Sequence, residues 1–546
     1  MQPTTPTQLQ ELLIEQYAIT DPGSFINPPY TLGDVFAFTD MQKAVDRIQK
    51  AIKEGEHIGI YADYDCDGIP GAVVLVDLFK KIGSMDRVHV YIPDRHDEGY
   101  GVSTRGIDAL QEKGVTLMIT VDMGITALAE IADAQSRGID VILTDHHAPL
   151  PEYPSAFSVI HPSNGTYINQ EPCGAAVAFY LVRGFLSTYG AQYDIPEGWE
   201  KWLLDLVGFA TLSDMVPLTG ENRTIAYYGL LVMQKTRRFG LRYLFEKNSI
   251  TLSTLTETDL TFTVAPRLNA ASRMDTPLLA FELLATDDVR RARVIVERLD
   301  EINTLRKTLV AQIAKSAHAT IEHRALSNSL GEIVVVGNPE WRPAVLGLVA
   351  NKLVETYGKS FFVWGEAGDG TIKGSCRMIE SHHAALLFQA LPDGVLLHAG
   401  GHQAAGGFSV AKEKIHFFEE ELNSALGRVV HQSPGNSHKE SIVLPLACVT
   451  TRHLQVVRTF GPFGVGNPEP VFLFEQVRVI STKKFGKAKE HLELLVEDET
   501  GSATAFTFFV SEEMRSAAAK GATISILGTL EAGWRGGVRV RIREII

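Results

Sequence analysis

Asp63, Asp65 and Asp67 stand at alternate positions at the end of a short apolar run, with Gly68 directly after. Carboxylates this close repel one another, and aspartate is a poor strand former. A divalent cation with oxygen ligands would offset that charge. Taken alone, the stretch also reads as a solvated turn or as half of a calcium loop. Further along, Asp122, the run Asp145-His146-His147, and Asp214 each follow an apolar segment. Carboxylate and imidazole together suit Mn2+ or Mg2+, and the lack of clustered cysteine argues against structural zinc. Two such ions sharing a carboxylate can activate a water and clamp the oxygens of a phosphoryl displacement. Adjacent residues at a strand end point to different sides, so His146 and His147 are expected to divide the work. One can ligate a metal while the other faces a substrate phosphate.

The elements that must position these groups alternate in the α/β manner. Strands are predicted over 57–62, 88–92, 117–121, 141–144 and 159–160, and helices over 72–82, 104–112, 127–136, 175–186 and 202–212. Each acidic or histidine cluster falls at the carboxyl end of a strand, the edge where open parallel sheets bind ligands. Pro217 stops the last of these helices and leaves Asp214 at its terminus. From Leu278 to Leu330 there is no glycine or proline, and Asp287-Asp288 offers a helix start. Val294, Ile295, Leu299, Ile302, Leu305, Leu309 and Ile313 then recur at helical spacing, which predicts a long helix bridging two domains. A second α/β unit runs from Glu332 to about Leu426. The polar segment Val429 to Ser441, with Ser433-Pro434-Gly435-Asn436-Ser437, reads as a linker. Strands predicted over 471–480, 491–496, 504–510, 523–530 and 537–542 fit a small barrel of the OB type. The expected fold class is therefore α/β: a parallel-sheet domain, a long linking helix, a second α/β domain and a C-terminal β-barrel. The expected division is a lead-in over 1–50, a catalytic domain over 51–225, a helical connector over 226–325, a second α/β domain over 326–428 and a barrel over 440–546.

A chain of 546 residues is too long for one core, which agrees with this division. No run approaches the ~20 apolar residues of a membrane span. The opening Met-Gln-Pro-Thr-Thr-Pro-Thr lacks the basic region and apolar core of a secretion signal. Cys66, Cys173, Cys376 and Cys448 form no CxxC, so reduced thiols and a cytoplasmic location are expected. The net charge of −14, taken bluntly, disfavours a nucleic-acid binder. A metal site concentrates aspartate, however, and binding needs only a local basic groove. The barrel offers one: Lys483 to Lys489 and Arg535 to Arg541 gather positive charge, with Phe485 and Trp534 among them as stacking candidates. A solvated basic face is the alternative.

Asp65-Cys66-Asp67-Gly68, Val121-Asp122-Met123-Gly124, Asp145-His146-His147 and Asp214 at a helix end resemble, in order and type, the four motifs of the DHH phosphoesterase family. Pro93 to Gly101, Pro266 to Met274, Gly400-Gly401-His402 with Gly407-Phe408, and Gly461 to Pro470 are similar to further stretches of one branch of that family. That branch degrades single-stranded DNA from its 5′ end. The resemblance implies two divalent cations, Mn2+ or Mg2+, held by Asp65, Asp67, Asp122, His146 and Asp214, with Asp122 as the bridge and Asp63 assisting. It implies that His147 contacts the scissile phosphate or protonates the leaving oxygen. It also implies that Arg95, Arg273, Ser375 and Arg377 hold the 5′-terminal phosphate and that His402 lines the cleft. The implied activity is 5′→3′ exonucleolytic release of 5′-mononucleotides in DNA repair and recombination. The implied partners are single-stranded DNA, a helicase and a single-strand-binding protein, for a monomer without membrane association. The chain departs from the family pattern at Tyr61, where related enzymes place a metal-binding histidine, and at Arg342, Ser272 and Gly406. Two other readings stay open at this point. One is a phosphoesterase acting on short oligonucleotides or nucleoside bisphosphates, which the barrel disfavours. The other is a catalytically silent DNA-binding scaffold, which the intact acidic set disfavours.

Overall fold

Apolar, β-branched runs bounded by acidic turns form the first sheet. In the computed structural model, which describes residues 3–326, 330–368, 370–429, 441–486, 489–508, 510, 512–533 and 536–546, these runs are β1 (His57–Ala62), β2 (Val88–Tyr91), β3 (Val115–Val121), β4 (Asp140–Thr144) and β5 (Ser158–Ile160). They pair in parallel in the order β2-β1-β3-β4-β5. Helices cover both faces, so β1, β3, β4 and β5 are buried along most of their length, as expected of an all-parallel sheet, while the edge strand β2 is partly exposed. The chain leaves β1 toward β2 on one side and reaches β3 on the other, which makes the β1–β3 crevice the topological switch point.

The helix after β1 begins at Gly68, four residues before the apolar pattern suggests, and runs to Lys81. The Asp65 carboxylate explains the early start. Its Oδ1 accepts from the backbone of Asp67 at 2.8 Å and of Gly68 at 3.1 Å, satisfying donors that a helix leaves free at its N-terminus. Pro70 is tolerated because it lies in the first turn. The helices Gly174–Tyr189 and Leu204–Ser213 are almost wholly buried, the first packing on the Gly68–Lys81 helix behind the sheet.

The linking helix spans Val289–Ala325, 37 residues, with Asp288 capping it through the backbone N–H groups of Arg290 and Arg291. It leads to a mixed sheet of β6 (Ile333–Gly337), β7 (Ser360–Glu366), β8 (Ile372–Arg377), β9 (Leu396–Gly401) and β10 (Ala405–Val410), in the order β6-β7-β8-β10-β9. Only β6 and β7 pair in parallel; the other three pairings are antiparallel. The C-terminal strands are β11 (Ile442–Val443), β12 (Phe472–Phe485), β13 (His491–Asp498), β14 (Gly501–Thr507), β15 (Thr523–Ala532) and β16 (Val538–Ile545). The pairing of β12 with β15 closes β12, β13, β14, β16 and β15 into a barrel. Most of the expected linker, residues 430–440, lies outside the described residues, as do Lys487, Ala488, Trp534 and Arg535 of the basic barrel stretches.

The first fifty residues divide between two cores. Helix Met41–Glu54 buries Met41, Ala44, Val45, Ile48 and Ala51 against the first domain. Helix Pro6–Gln16 instead buries Leu9 and Leu13 in the barrel core, beside Leu444, Leu446 and Leu454. Among the described residues no helix is long and apolar enough to cross a membrane.

Candidate active site

β1, β3 and β4 each end in chemistry. Asp63, Tyr64 and Asp65 follow β1, Asp122 follows β3, and Asp145-His146-His147 follows β4. Asp122 adopts a φ of +63°, the left-handed region that non-glycine residues rarely occupy. Strain of this kind persists where surrounding structure enforces it. Here the Asp122 N–H donates to the Thr144 carbonyl at 3.0 Å. Behind its side chain, a Cβ on Gly174 would lie 2.5 Å from the Asp122 Cβ, so only glycine allows this approach.

The side chains converge in three groups whose ligand atoms lie within 4.8 Å of one another: Asp63, Asp65 and Asp122; Asp122, His146 and His147; and Asp67, His146 and Asp214. Asp122 and His146 each belong to two groups. His146 Nε2 is 3.1 Å from Asp122 Oδ1, 3.7 Å from Asp67 Oδ2 and 3.8 Å from Asp214 Oδ2. Asp67 is fixed from behind, its two oxygens accepting from Gly174 N at 2.5 Å and Ala175 N at 2.7 Å, at the N-terminus of a helix.

The electrostatics fit divalent cations. Burial and the neighbouring Asp65 push the Asp67 carboxyl up to about 7. Burial, then Asp67 and Asp65, raise Asp214 to about 9. Burial and the surrounding aspartates also hold Asp63 and Asp122 far above the ordinary carboxylate range. Asp63 Oδ1 and Asp122 Oδ1 are buried and accept no hydrogen bond from the described residues. Crowded carboxylates with unshared oxygens are the donor set a hard cation prefers. Burial, then the charge of His147, lowers His146 to about 3, so its imidazole is neutral, the form that binds metal.

His147 behaves oppositely. Burial works against its charge, but the Asp145 hydrogen bond and charge prevail and raise it to about 9. Asp145 enters none of the three groups. Its Oδ1 accepts from His147 Nδ1 at 2.8 Å and from the backbone of His146 and His147, and its Oδ2 accepts from Ile125 N. Two further contacts to His147 come from Tyr100, within the Pro93 to Gly101 stretch, and from His161, which is not among the sequence-predicted site residues. The Tyr100 hydroxyl lies 3.2 Å from His147 Nδ1 and donates to the Asp122 carbonyl at 3.3 Å. His161 Nε2 lies 2.8 Å from the His147 carbonyl. Tyr61, at the family's histidine position, is in the core instead; its hydroxyl accepts from Ser103 N and lies 3.2 Å from Ser103 Oγ.

The second domain faces this site. The His402 ring, just after β9, lies 6.5 Å from that of His147 and nearly parallel to it. Ser375 and Arg377, two residues apart on β8, share one face of their strand. A Cβ on Gly347 would be 3.5 Å from Ser375 Cβ and 3.2 Å from Arg377 Nη2. Arg273 donates to the Ala344 carbonyl at 2.7 Å, and Arg95 stacks on Tyr64, 4.8 Å from its ring centroid. Burial, then Arg95, Arg306 and Arg377, lowers Arg273 to about 9. Arginines from separate segments thus crowd Arg273, and Arg95 also acts on the Asp63 carboxylate. A cleft of about 930 Å³ opens beside Arg95, lined also by Tyr64, Asp97, Glu340, Arg342 and Glu366 among others. On the barrel, Phe485, His491 and Phe508 form an aromatic cluster with centroids 5.0 to 6.0 Å apart, and Arg541 lies 5.8 Å from the Phe508 ring.

Residues 57–211 match the model of the DHH family N-terminal domain, residues 330–428 that of the DHHA1 domain, and residues 442–544 that of the RecJ OB domain. The single-stranded-DNA-specific exonuclease RecJ of Escherichia coli (strain K12) is 32% identical over 485 residues, covering 84% of this chain and 82% of its own. The chain belongs to the RecJ family. RecJ of Bacillus subtilis (strain 168) is 32% identical over 91% of this chain, which spans 62% of that relative's length. The crystal structure of RecJ from Thermus thermophilus in complex with Mn2+ superimposes with a TM-score of 0.80 at 25% identity, covering 98% of this chain and 76% of that one. The α/β fold with its linking helix and OB-type barrel is thus that of the RecJ family, and its acidic-imidazole cluster fits the Mn2+ or Mg2+ found in RecJ structures.

Proposed function

We propose that this chain is a metal-dependent exonuclease that removes mononucleotides from the 5′ end of single-stranded DNA. One juxtaposition carries the reading: the carboxylate and imidazole ligand groups adjoin Arg95, which acts both on Asp63 and on Arg273 of the arginine set. When bound, divalent cations supply Lewis acidity toward a water and positive charge for the phosphoryl oxygens. Asp65, Asp67, Asp122, His146 and Asp214 would hold two such ions, with Asp122 serving two of the ligand groups and Asp63 assisting.

The arginine forks of Arg95, Arg273 and Arg377, with the Ser375 hydroxyl, take the terminal phosphate, since guanidinium geometry matches phosphate oxygens in pairs. Anchoring that phosphate sets the next one, a single nucleotide along, at the aspartates. His147 is protonated at neutral pH, and Asp145 occupies its Nδ1. Its Nε2 therefore donates the proton to the 3′ oxygen that leaves. Cleavage of that P–O bond releases a 5′-mononucleotide and leaves a new 5′-phosphate on the strand, ready for the same pocket. His402 borders the reacting phosphate from the second domain, and the barrel aromatics stack on the trailing bases.

The test compares 5′-labelled and 3′-labelled single strands, a duplex and a dinucleotide, each with Mn2+, Mg2+ or chelator. Mononucleotide released only from the 5′ end of long single strands, and only with metal, is the expected result. Cleavage of the dinucleotide alone would replace this reading with a small-substrate phosphoesterase. Binding should weaken with salt, with a log–log slope of about −0.7 per neutralised phosphate.

A further inference from the structure

The linking helix changes partners along its length. Ile295, Val296 and Leu299 belong to the core of the first domain, and Ile313, Ala314, Ala317 and Ile321 to the core of the second. Between these two sets its inner face carries Ile302, Asn303 and Arg306, exposed by only 1%, 2% and 9%. A guanidinium is thus buried where the helix crosses from one core to the other. Leu309, one turn further on the same stripe, lines the 930 Å³ cleft together with Arg95 and Ala344. Helix Ala265–Met274 packs across this stretch and presents Asn269 and Arg273 one turn apart.

Arg306 Nε, Asn269 Oδ1 and Asn303 Oδ1 are buried and have no hydrogen-bond partner among the described residues. Among the described residues the charge that acts on Arg306 is that of Arg267, a like charge, and Arg306 in turn acts on Arg273. A buried cation without a counter-charge weakens a fold, so a helix that needed only to join two domains would carry an apolar residue there. An anion in the cleft would supply the missing charge. A terminal phosphate monoester, with its second pKa near 6, carries close to two negative charges at neutral pH, whereas an internal diester carries one. An additional cation therefore favours a strand end over a strand interior.

We propose that Arg306 is a further cation of the pocket for the 5′-terminal phosphate, supplied by the linking helix, and that it helps the enzyme to prefer a phosphorylated end. This rests on the reading of Arg95, Arg273, Ser375 and Arg377 as that pocket. The experiment measures kcat/KM with Mn2+ on one oligodeoxynucleotide bearing either a 5′-phosphate or a 5′-hydroxyl, for the parent, Arg306→Met and Arg306→Lys. Thermal midpoints are recorded without substrate. The parent should prefer the phosphorylated strand. In Arg306→Met that preference should fall roughly tenfold, the size of one charge-assisted hydrogen bond. Its midpoint should stay level or rise, and Arg306→Lys should keep an intermediate preference. Equal losses on both strands in Arg306→Met, or a lowered midpoint or failure to fold, would mean that Arg306 serves the fold, and the proposal would be wrong. A parent that does not distinguish the two ends would instead remove the pocket reading itself, before any variant is considered.

Discussion

Asp145 Oδ1 lies 2.8 Å from His147 Nδ1, and Asp145 belongs to none of the three ligand groups although the next residue, His146, belongs to two. Its other contacts are backbone N–H groups of Ile125, His146 and His147, so it shapes the loop after β4 and selects the His147 tautomer. Asp145→Asn should lower kcat by about a hundredfold to ten-thousandfold, the range for misorienting a general acid. The number of Mn2+ ions bound at equilibrium should not change. Activity within twofold of the parent would remove Asp145 from the proton-transfer pathway.

Asp122 is shared by two of the three ligand groups and is crowded by Asp63, Asp65, Asp67 and Asp214. Mn2+ at about a hundred times its dissociation constant should stabilise the parent by about 2.7 kcal/mol, a rise of roughly 5–10 °C in thermal midpoint for a domain of this size. Asp122→Asn should lose most of that rise and reduce turnover by more than about a thousandfold, equivalent to ~4 kcal/mol of transition-state stabilisation. In chelator its midpoint should match or exceed the parent's, because one buried like charge has gone. A variant as responsive to Mn2+ as the parent would show that Asp122 is no ligand.

Gly174 permits the close packing of helix Gly174–Tyr189 against the Asp122 side chain. Gly174→Ala places a methyl group 2.5 Å from Asp122 Cβ, well inside contact distance. Overpacking of this kind costs about 1–3 kcal/mol and should displace Asp122 from its left-handed conformation. Turnover should fall at least tenfold, a loss of about 1.4 kcal/mol, while affinity for single-stranded DNA measured in chelator stays near the parent's. A fall in that affinity as large as the fall in turnover would point to a defect beyond the metal cluster.

The acidic and imidazole groups were legible because parallel strands announce themselves as apolar runs, and their carboxyl ends then mark the site. The linking helix was legible for a similar reason, through its unbroken 3.6-residue period. The strands β8, β9 and β10 were not. Their sequences, Ile372–Arg377, Leu396–Gly401 and Ala405–Val410, are rich in glycine and polar residues and take their register from neighbours rather than from propensity. Arg306 was hidden because an arginine in an amphipathic helix reads as solvated, and only the packing of a second helix shows it buried. The Pro6–Gln16 helix carried no local sign of its partner, which lies more than four hundred residues away; the Cys448 thiol reaches the Pro3 carbonyl across a separation of 445 positions.

That last contact yields a prediction about the barrel. Leu9 and Leu13 are fully buried in its core, and Ile14, Tyr17 and Phe25 pack against the same cluster. The barrel therefore borrows part of its interior from the start of the chain. Leu13→Ala should destabilise it by about 2–5 kcal/mol, the cost of the lost transfer energy plus the cavity. Because the aromatic cluster near Phe485 rides on this barrel, affinity for long single strands should fall in the variant as temperature rises, ahead of any change in cleavage of a short oligonucleotide that reaches only the cleft. The check is a temperature series of DNA binding and of short-substrate cleavage on the same preparation. Loss of both together at one temperature would mean that the barrel and the first domain unfold as a single unit and that the N-terminal helix does not act on the barrel alone.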